Sequence, residues 1–208
     1  MQIQIGKISD GNLPRSDIRQ MHALRHQVFR ERLRWDVACN TDDEGTPNEQ
    51  DDFDALDPTY MLVKGVGDEV VGCWRMLPTT GPYMLKDTFP ETLCGHAAPE
   101  RPEVWELSRF ALSSHKVNAF RFSQAAVAMM ESAVEFAMSH GVTQFVTVTT
   151  VAIERMMKTL SIPVRRFGIP VQVGIEKTVA FSIDVNLSTL VLLRRHTGSV
   201  LADEKIVA

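Results

Sequence analysis

The chain has 208 residues, 44% of them apolar, and carries 22 Lys and Arg against 26 Asp and Glu for a net charge of -4. That is material for one compact domain, and residues 1–208 read as one. The acidic balance argues against a nucleic-acid partner, and no apolar run nears the roughly 20 residues that a membrane span needs.

The opening MQIQIGKISD lacks the apolar centre of a signal peptide. Cys39, Cys73 and Cys94 form no CxxC pair and leave one thiol over, as expected of reduced thiols in a cytoplasmic protein. The six histidines show no metal-ligand spacing, so no metal is expected.

In chain order, Ile18, Met21, Leu24, Val28 and Phe29 follow the three-to-four spacing of a helix over 18–33. Between Asp36 and Asp57 nine acids occur without a Lys or Arg, and Gly45, Pro47 and Asn48 mark this stretch as a loop. Residues 60–64 and 69–76 read as a hairpin around Gly65 to Asp68, and a short helix is expected within 84–93. Residues 104–112 (VWELSRFAL) form a strand. Glu106 and Arg109 would lie on its opposite faces unless a bulge intervenes. Ser123 is the expected cap of a helix running to His140 and stopped by Gly141. A strand over 145–150, a helix over 152–160 and closing strands at 171–175, 179–185 and 190–193 complete a mixed sheet with helices on both faces.

Four groups of residues could carry chemistry. Arg25 and Phe29 share a helical face near Trp35. They could offer a cation and rings to one ligand, or be an exposed Arg beside two core aromatics. Glu49, Asp51 and Asp54 crowd carboxylates that repel unless a cation lies among them; a solvated acidic loop is the alternative. Arg75, in the apolar strand GCWRM, needs a carboxylate partner if it faces inward, either Glu106 or a loop acid. Glu106 and Arg109 are again ionisable residues in an apolar strand, as in a buried ionic site, whether functional or structural. Arg155, Lys158, Arg165, Arg166 and Lys177 form a basic block against one acid, Glu176. It is a solvated face or a surface for an acidic partner. Nucleophile-elbow, Walker, GxGxxG and HExxH motifs are absent.

Taken together, LRHQVFRERLRWDV, EQDDFDALDPTYML, GCWRMLPTTGPYMLKDTFPE, WELSRFA, VTVTTVAIERMM and RRFG resemble, in that order, the LuxI-type autoinducer synthases. The similarity is greatest to the branch making long-chain 3-oxoacyl signals. The family's invariant positions fall on Arg25, Phe29, Trp35, Asp51, Asp54, Arg75, Phe89, Glu106 and Arg109. The loop before Glu49 is longer and more acidic than the family's. The resemblance implies an α/β, N-acetyltransferase-like three-layer sandwich with a twisted mixed sheet. It implies acyl transfer from acyl carrier protein to the amine of S-adenosylmethionine, a substrate rather than a cofactor, then lactonisation with release of methylthioadenosine.

The resemblance also implies a role for each position. Glu106 is the general base. Asp51 and Asp54 suit the substrate's cationic groups, and Arg75 and Arg109 hold those acids or the substrate carboxylate. Arg25, Phe29 and Trp35 enclose the nucleoside, and Phe89 joins the substrate site. Thr147 and Thr149 share a strand face, where Thr149 serves a 3-oxo group or simple packing, and the basic block meets the carrier protein. An acetyl-CoA-dependent N-acetyltransferase is the rival enzyme, but SSHKVNAFRFS lacks the glycines of a pyrophosphate loop. An S-adenosylmethionine sensor, the non-enzymatic rival, would need no buried base.

Overall fold

A computed structural model describes residues 1–113 and 119–198, which divide into two compact units. Of the described residues, the first comprises 1–77 and 107–113, the second 78–106 and 119–198.

In the first unit, β1 (Gln2–Gly6) pairs antiparallel with β4 (Thr59–Lys64), and β4 with β5 (Val70–Pro78). The later residues of β6 (Val104–Leu112) lie beside β5. The expected β4–β5 hairpin is present, its turn made by left-handed Gly67 and Asp68. Helix α1 (Arg15–Arg25) runs on as a π-helix (His26–Arg32), whose C-terminal bond joins Leu33 N–H to the Val28 carbonyl five residues back. The helix expected over 18–33 is therefore real but changes pitch midway. Its stripe of Met21, Leu24, Val28 and Phe29 packs with Tyr60, Leu62, Val70 and Cys73.

The acidic loop is more ordered than its composition predicts. Strands β2 (Cys39–Thr41) and β3 (Pro47–Glu49) pair as a small hairpin, with a 3-10 turn after it at Asp52–Leu56. The Asp51 carboxylate caps that turn by accepting from Phe53 N–H, and the Asp54 carboxylate accepts from Asp51 N–H.

In the second unit the first residues of β6 lead to β7 (Gln144–Thr150), β10 (Glu176–Asp184) and β8 (Val164–Arg166), with β9 (Val171–Val173) also on β10. The short helix within 84–93 is α2 (Met84–Asp87) plus a 3-10 turn at Pro90–Leu93. Helix α3 (Ala119–Ser139) begins before Ser123, so its cap lies outside the described residues; Gly141 turns the chain at φ +72°. Helix α4 (Val151–Thr159) comes directly after β7.

One expectation fails. Residues 190–193 are not a strand but the middle of α5 (Leu187–Thr197). The Asn186 side chain caps this helix by accepting from Thr189 N–H at 2.9 Å, and Gly198 ends it. Leu190 and Leu193 are buried while Val191 is exposed, which is helical spacing in a run too short to declare it.

Gly168, just after β8, shows how closely this unit is packed. A Cβ there would lie 2.2 Å from Cys94 Sγ and 2.4 Å from Cys94 Cβ. Gly168→Ala should therefore cost about 1–3 kcal/mol through overpacking. Cys94 has φ +50°, so Cys94→Gly removes the obstruction and suits the backbone. Denaturant unfolding should find most of the loss restored in the double variant. A double variant no more stable than Gly168→Ala would rule out the clash.

Candidate active site

Three arginines and three acids from separate segments of the first unit meet in one buried cluster. From α1, Arg25 donates to Asp54 Oδ1 and Oδ2 at 2.8 and 2.9 Å and to Glu49 Oε2 at 2.5 Å. Arg75, from β5, donates to Asp51 Oδ1 and Oδ2 at 2.5 and 3.0 Å, to Asp54 Oδ1 at 2.8 Å and to Ser108 Oγ at 3.2 Å. Arg109, from β6, pairs with Glu49 at 3.0 Å and with Asp51 at 2.8 Å. The Tyr60 hydroxyl completes the set, donating to Asp54 Oδ1 at 2.6 Å. The loop acids, expected as one set of partners for Arg75, do meet it.

Charges balance inside the cluster, and their energetics depend on position. Burial alone would raise the Asp54 pKa, but the hydrogen bonds from Arg25 and the charges of Arg25 and Arg75 hold it well below the carboxylate range. Burial would lower that of Arg25; Asp54 and Glu49 reverse the sign. Arg109 is depressed, by burial first, despite Glu49 and Asp51. Removing one member strands its partner, which costs on the order of 3–5 kcal/mol.

Arg25 is 0% exposed and its fork is taken up by carboxylates. Asp54 is bonded on both oxygens. Phe29 is buried, its ring 5.5 Å from the Arg109 guanidinium and stacked at 5.4 Å on Trp35, which is half-buried. Asp51 keeps 13% and Arg109 10% of its side chain open. Arg109 also answers the question of strand faces. Its φ of +58° breaks the regular alternation of β6, which is rare for a residue with a side chain.

Glu106 stands in the second unit, 1% exposed. Its Oε2 accepts from Met84 N–H at 3.0 Å and its Oε1 from Leu85 N–H at 2.6 Å. Thr147 is buried and Thr149 half-buried, opposite Phe181 and Val179 of β10 and so on one face. Phe89 is half-buried where the 3-10 turn begins.

The basic block divides. Arg166 donates to both oxygens of Glu154, at 2.7 and 2.5 Å, and Lys158 lies 3.0 Å from the same carboxylate. These cations draw the Glu154 pKa down to about 2. Arg165, the preceding residue of β8, pairs with Asp184 instead. Arg155 and Lys177 are exposed.

Sequence reasoning missed three residues. Glu154 lies one position before the basic block, and Tyr60 reads as an ordinary strand aromatic. His22 has a buried Nε2 without a hydrogen-bond partner. Cys73 is no nucleophile, since burial pushes its thiol up to about 12. Among the described residues no three His, Cys, Asp or Glu side chains gather as a metal site would need, and no helix is long and apolar enough to cross a membrane.

The architecture is the mixed-sheet α/β fold of the N-acetyltransferases. Within that class, residues 10–190 match the family model described as autoinducer synthase. The chain is 42% identical over 208 residues to the acyl-homoserine-lactone synthase of Pseudomonas aeruginosa, covering 99% of this chain and 98% of that one. The crystal structure of the AHL synthase LasI is 43% identical with a TM-score of 0.83, over 92% of this chain and 93% of its own. The CoA-dependent synthase BjaI, solved with SAM and isopentyl-CoA, is 25% identical with a TM-score of 0.82, over 94% and 89%. The chain belongs to the autoinducer synthases, acyltransferases that make acyl-homoserine lactones.

His22 gives the first unit a signature in acid. Burial first, and Arg25 second, lower its pKa to about 4; Asp54, Glu49 and Asp51 oppose them. The unfolded chain therefore binds the proton more readily. Stability should fall as pH drops from about 6.5 to about 4, by roughly 3 kcal/mol. His22→Leu should flatten that segment when unfolding free energies of the two proteins are compared across it; parallel curves would exclude His22.

Proposed function

We propose that the chain, working as one synthase over residues 1–208 in the cytoplasm, transfers a long 3-oxoacyl group from acyl carrier protein to the amine of S-adenosylmethionine. The substrate's carboxylate then displaces methylthioadenosine at its γ-carbon and closes the lactone. The observation that carries the first step is Glu106, a buried carboxylate with each oxygen held by one main-chain N–H. A carboxylate held in this way can take the amine proton, directly or through water. Asp51 suits the substrate's cationic end, and Arg109 its carboxylate; Arg25, Arg75 and Asp54 keep both in place. Trp35, backed by Phe29, offers a ring face to the nucleoside. Phe89 lines the substrate site, and Thr147 and Thr149 face the acyl chain, where Thr149 can donate to a 3-oxo group.

Glu106→Gln tests the base. The amide cannot accept from both N–H groups, so some stability will be lost as well. Turnover should fall on the order of 10²–10⁴-fold, while calorimetry should still register S-adenosylmethionine binding. Near-normal turnover would remove Glu106 from the mechanism.

The donor is the second question, because BjaI is CoA-dependent. The basic block and the missing pyrophosphate-loop glycines support a carrier protein, whose acidic surface Arg155, Lys158, Arg165, Arg166 and Lys177 would steer. Reversing Arg166 would strand the buried Glu154, so the better variant is Arg155→Glu with Lys177→Glu. In competition assays, wild type should prefer 3-oxoacyl carrier protein over unsubstituted and CoA-linked donors. The variant should lose affinity for carrier protein alone, together with its salt dependence. A wild-type preference for CoA donors would overturn the carrier reading, and a preference for short unsubstituted chains would overturn the acyl assignment.

A further inference from the structure

The turn that supplies both donors to Glu106 has little structure of its own. Met84 and Leu85 are the first residues of α2, only four residues long, and Tyr83 before them has no side chain that can cap it. Pro82 contributes no N–H. Something else must keep two consecutive N–H groups on the two oxygens of one carboxylate.

Two buried hydroxyls do so. Thr79 and Tyr83 are both 0% exposed. Thr79 Oγ1 lies 3.0 Å from the Arg101 carbonyl and 2.9 Å from the Val104 carbonyl, and accepts from Arg101 N–H at 3.2 Å. This fastens the start of the segment to the approach of β6. At the other end the Tyr83 hydroxyl donates to the Pro99 carbonyl at 2.6 Å, while Tyr83 N–H donates to Asp87 Oδ2 at 2.9 Å. Residues 79–85 are thus tied at both ends to residues 99–106, the stretch that ends on Glu106.

We infer that Tyr83 is a positioning residue for Glu106: its hydroxyl, anchored on Pro99, holds the turn so that Met84 and Leu85 keep both oxygens of the carboxylate. The inference rests on the reading of Glu106 as the base. Two N–H donors favour the charged carboxylate. Loosening them makes Glu106 harder to ionise, and less of the base is present on the acid side of the working range. The other acids acting on Tyr83 are Glu100, which Lys86 pairs, and Asp87. Tyr83 itself stays protonated, because burial raises its pKa, with Glu106, Glu100 and Asp87 adding to the effect.

The test uses full-length Tyr83→Phe, which removes one oxygen and keeps the ring. The acid limb of kcat should move up by as much as roughly one pH unit, the effect of weakening one hydrogen bond to a charged group. The KM for acyl donor should be little changed. The titration of Glu106, tracked by its 13C-carboxylate infrared band in difference against Glu106→Gln, should move by the same amount. Thr79→Val, which loosens the other end but keeps the bond from its N–H to the Val104 carbonyl, should shift both in the same direction and serves if Tyr83→Phe does not fold. A lower melting temperature with the carboxylate titration and the acid limb both unmoved would make Tyr83 a core residue and overturn the inference. A shifted carboxylate with an unshifted acid limb would support the clamp while removing Glu106 as the base.

Discussion

Asp54 is the charge on which the first unit depends. One carboxylate oxygen takes Arg25, Arg75 and Tyr60, and the other takes Arg25 and the Asp51 N–H. A lone carboxylate so placed would be protonated or would prevent folding. Two guanidinium forks keep it ionised, and they in turn are acceptable in the interior only because Glu49 and Asp51 complete the balance. The cluster therefore forms as a whole, joining α1, the small hairpin, the 3-10 turn, β5 and β6 around one neutral group of charges. Such a group adds little net stability over an apolar core of equal volume. It provides placement instead, since a bidentate guanidinium accepts a carboxylate in few orientations.

Much of this arrangement is legible in the residues alone. Arg75, Glu106 and Arg109 stand out because an ionisable residue in an apolar strand must find a partner. Periodicity and turn chemistry give the hairpin at Gly65 to Asp68 and the stripe of the first helix. The hidden part depends on distant segments meeting. The alternation of β6 gives no warning that Arg109 adopts a left-handed backbone, and YMLVK gives none that Tyr60 will reach Asp54. Residues 190–193 mislead for a local reason: four apolar residues fit either period, and the deciding signal is Asn186, outside the run. The reaction itself is not readable from spacing; the resemblance over the whole chain supplies it.

The basic block shows the limit of counting charges along a chain. Five cations in a window read as one surface, but adjacent residues of a strand point to opposite faces. Arg165 and Arg166 accordingly serve different acids. Glu154, buried beneath Lys158 and Arg166, turns part of an apparent charge excess into a compact ion triplet. The field such a surface projects is therefore smaller than its formal charge, while the geometry of those two cations is more sharply defined than that of free side chains.

The π-helix after α1 bears on how this sequence can vary in length. A bond to the fifth residue back takes about one more residue per turn than the α-helix uses, so His26–Arg32 holds more chain than an α-helix of the same rise. The segment is poised where a one-codon deletion need not break the helix: the bonds can shorten to the α pattern and the backbone remain satisfied. Because the turn gives up only its extra residue, the downstream chain keeps close to its present orientation. Trp35 would then stay near the ring of Phe29. Alignments across this stretch should accordingly weigh a single-residue gap less heavily than a change of the tryptophan itself.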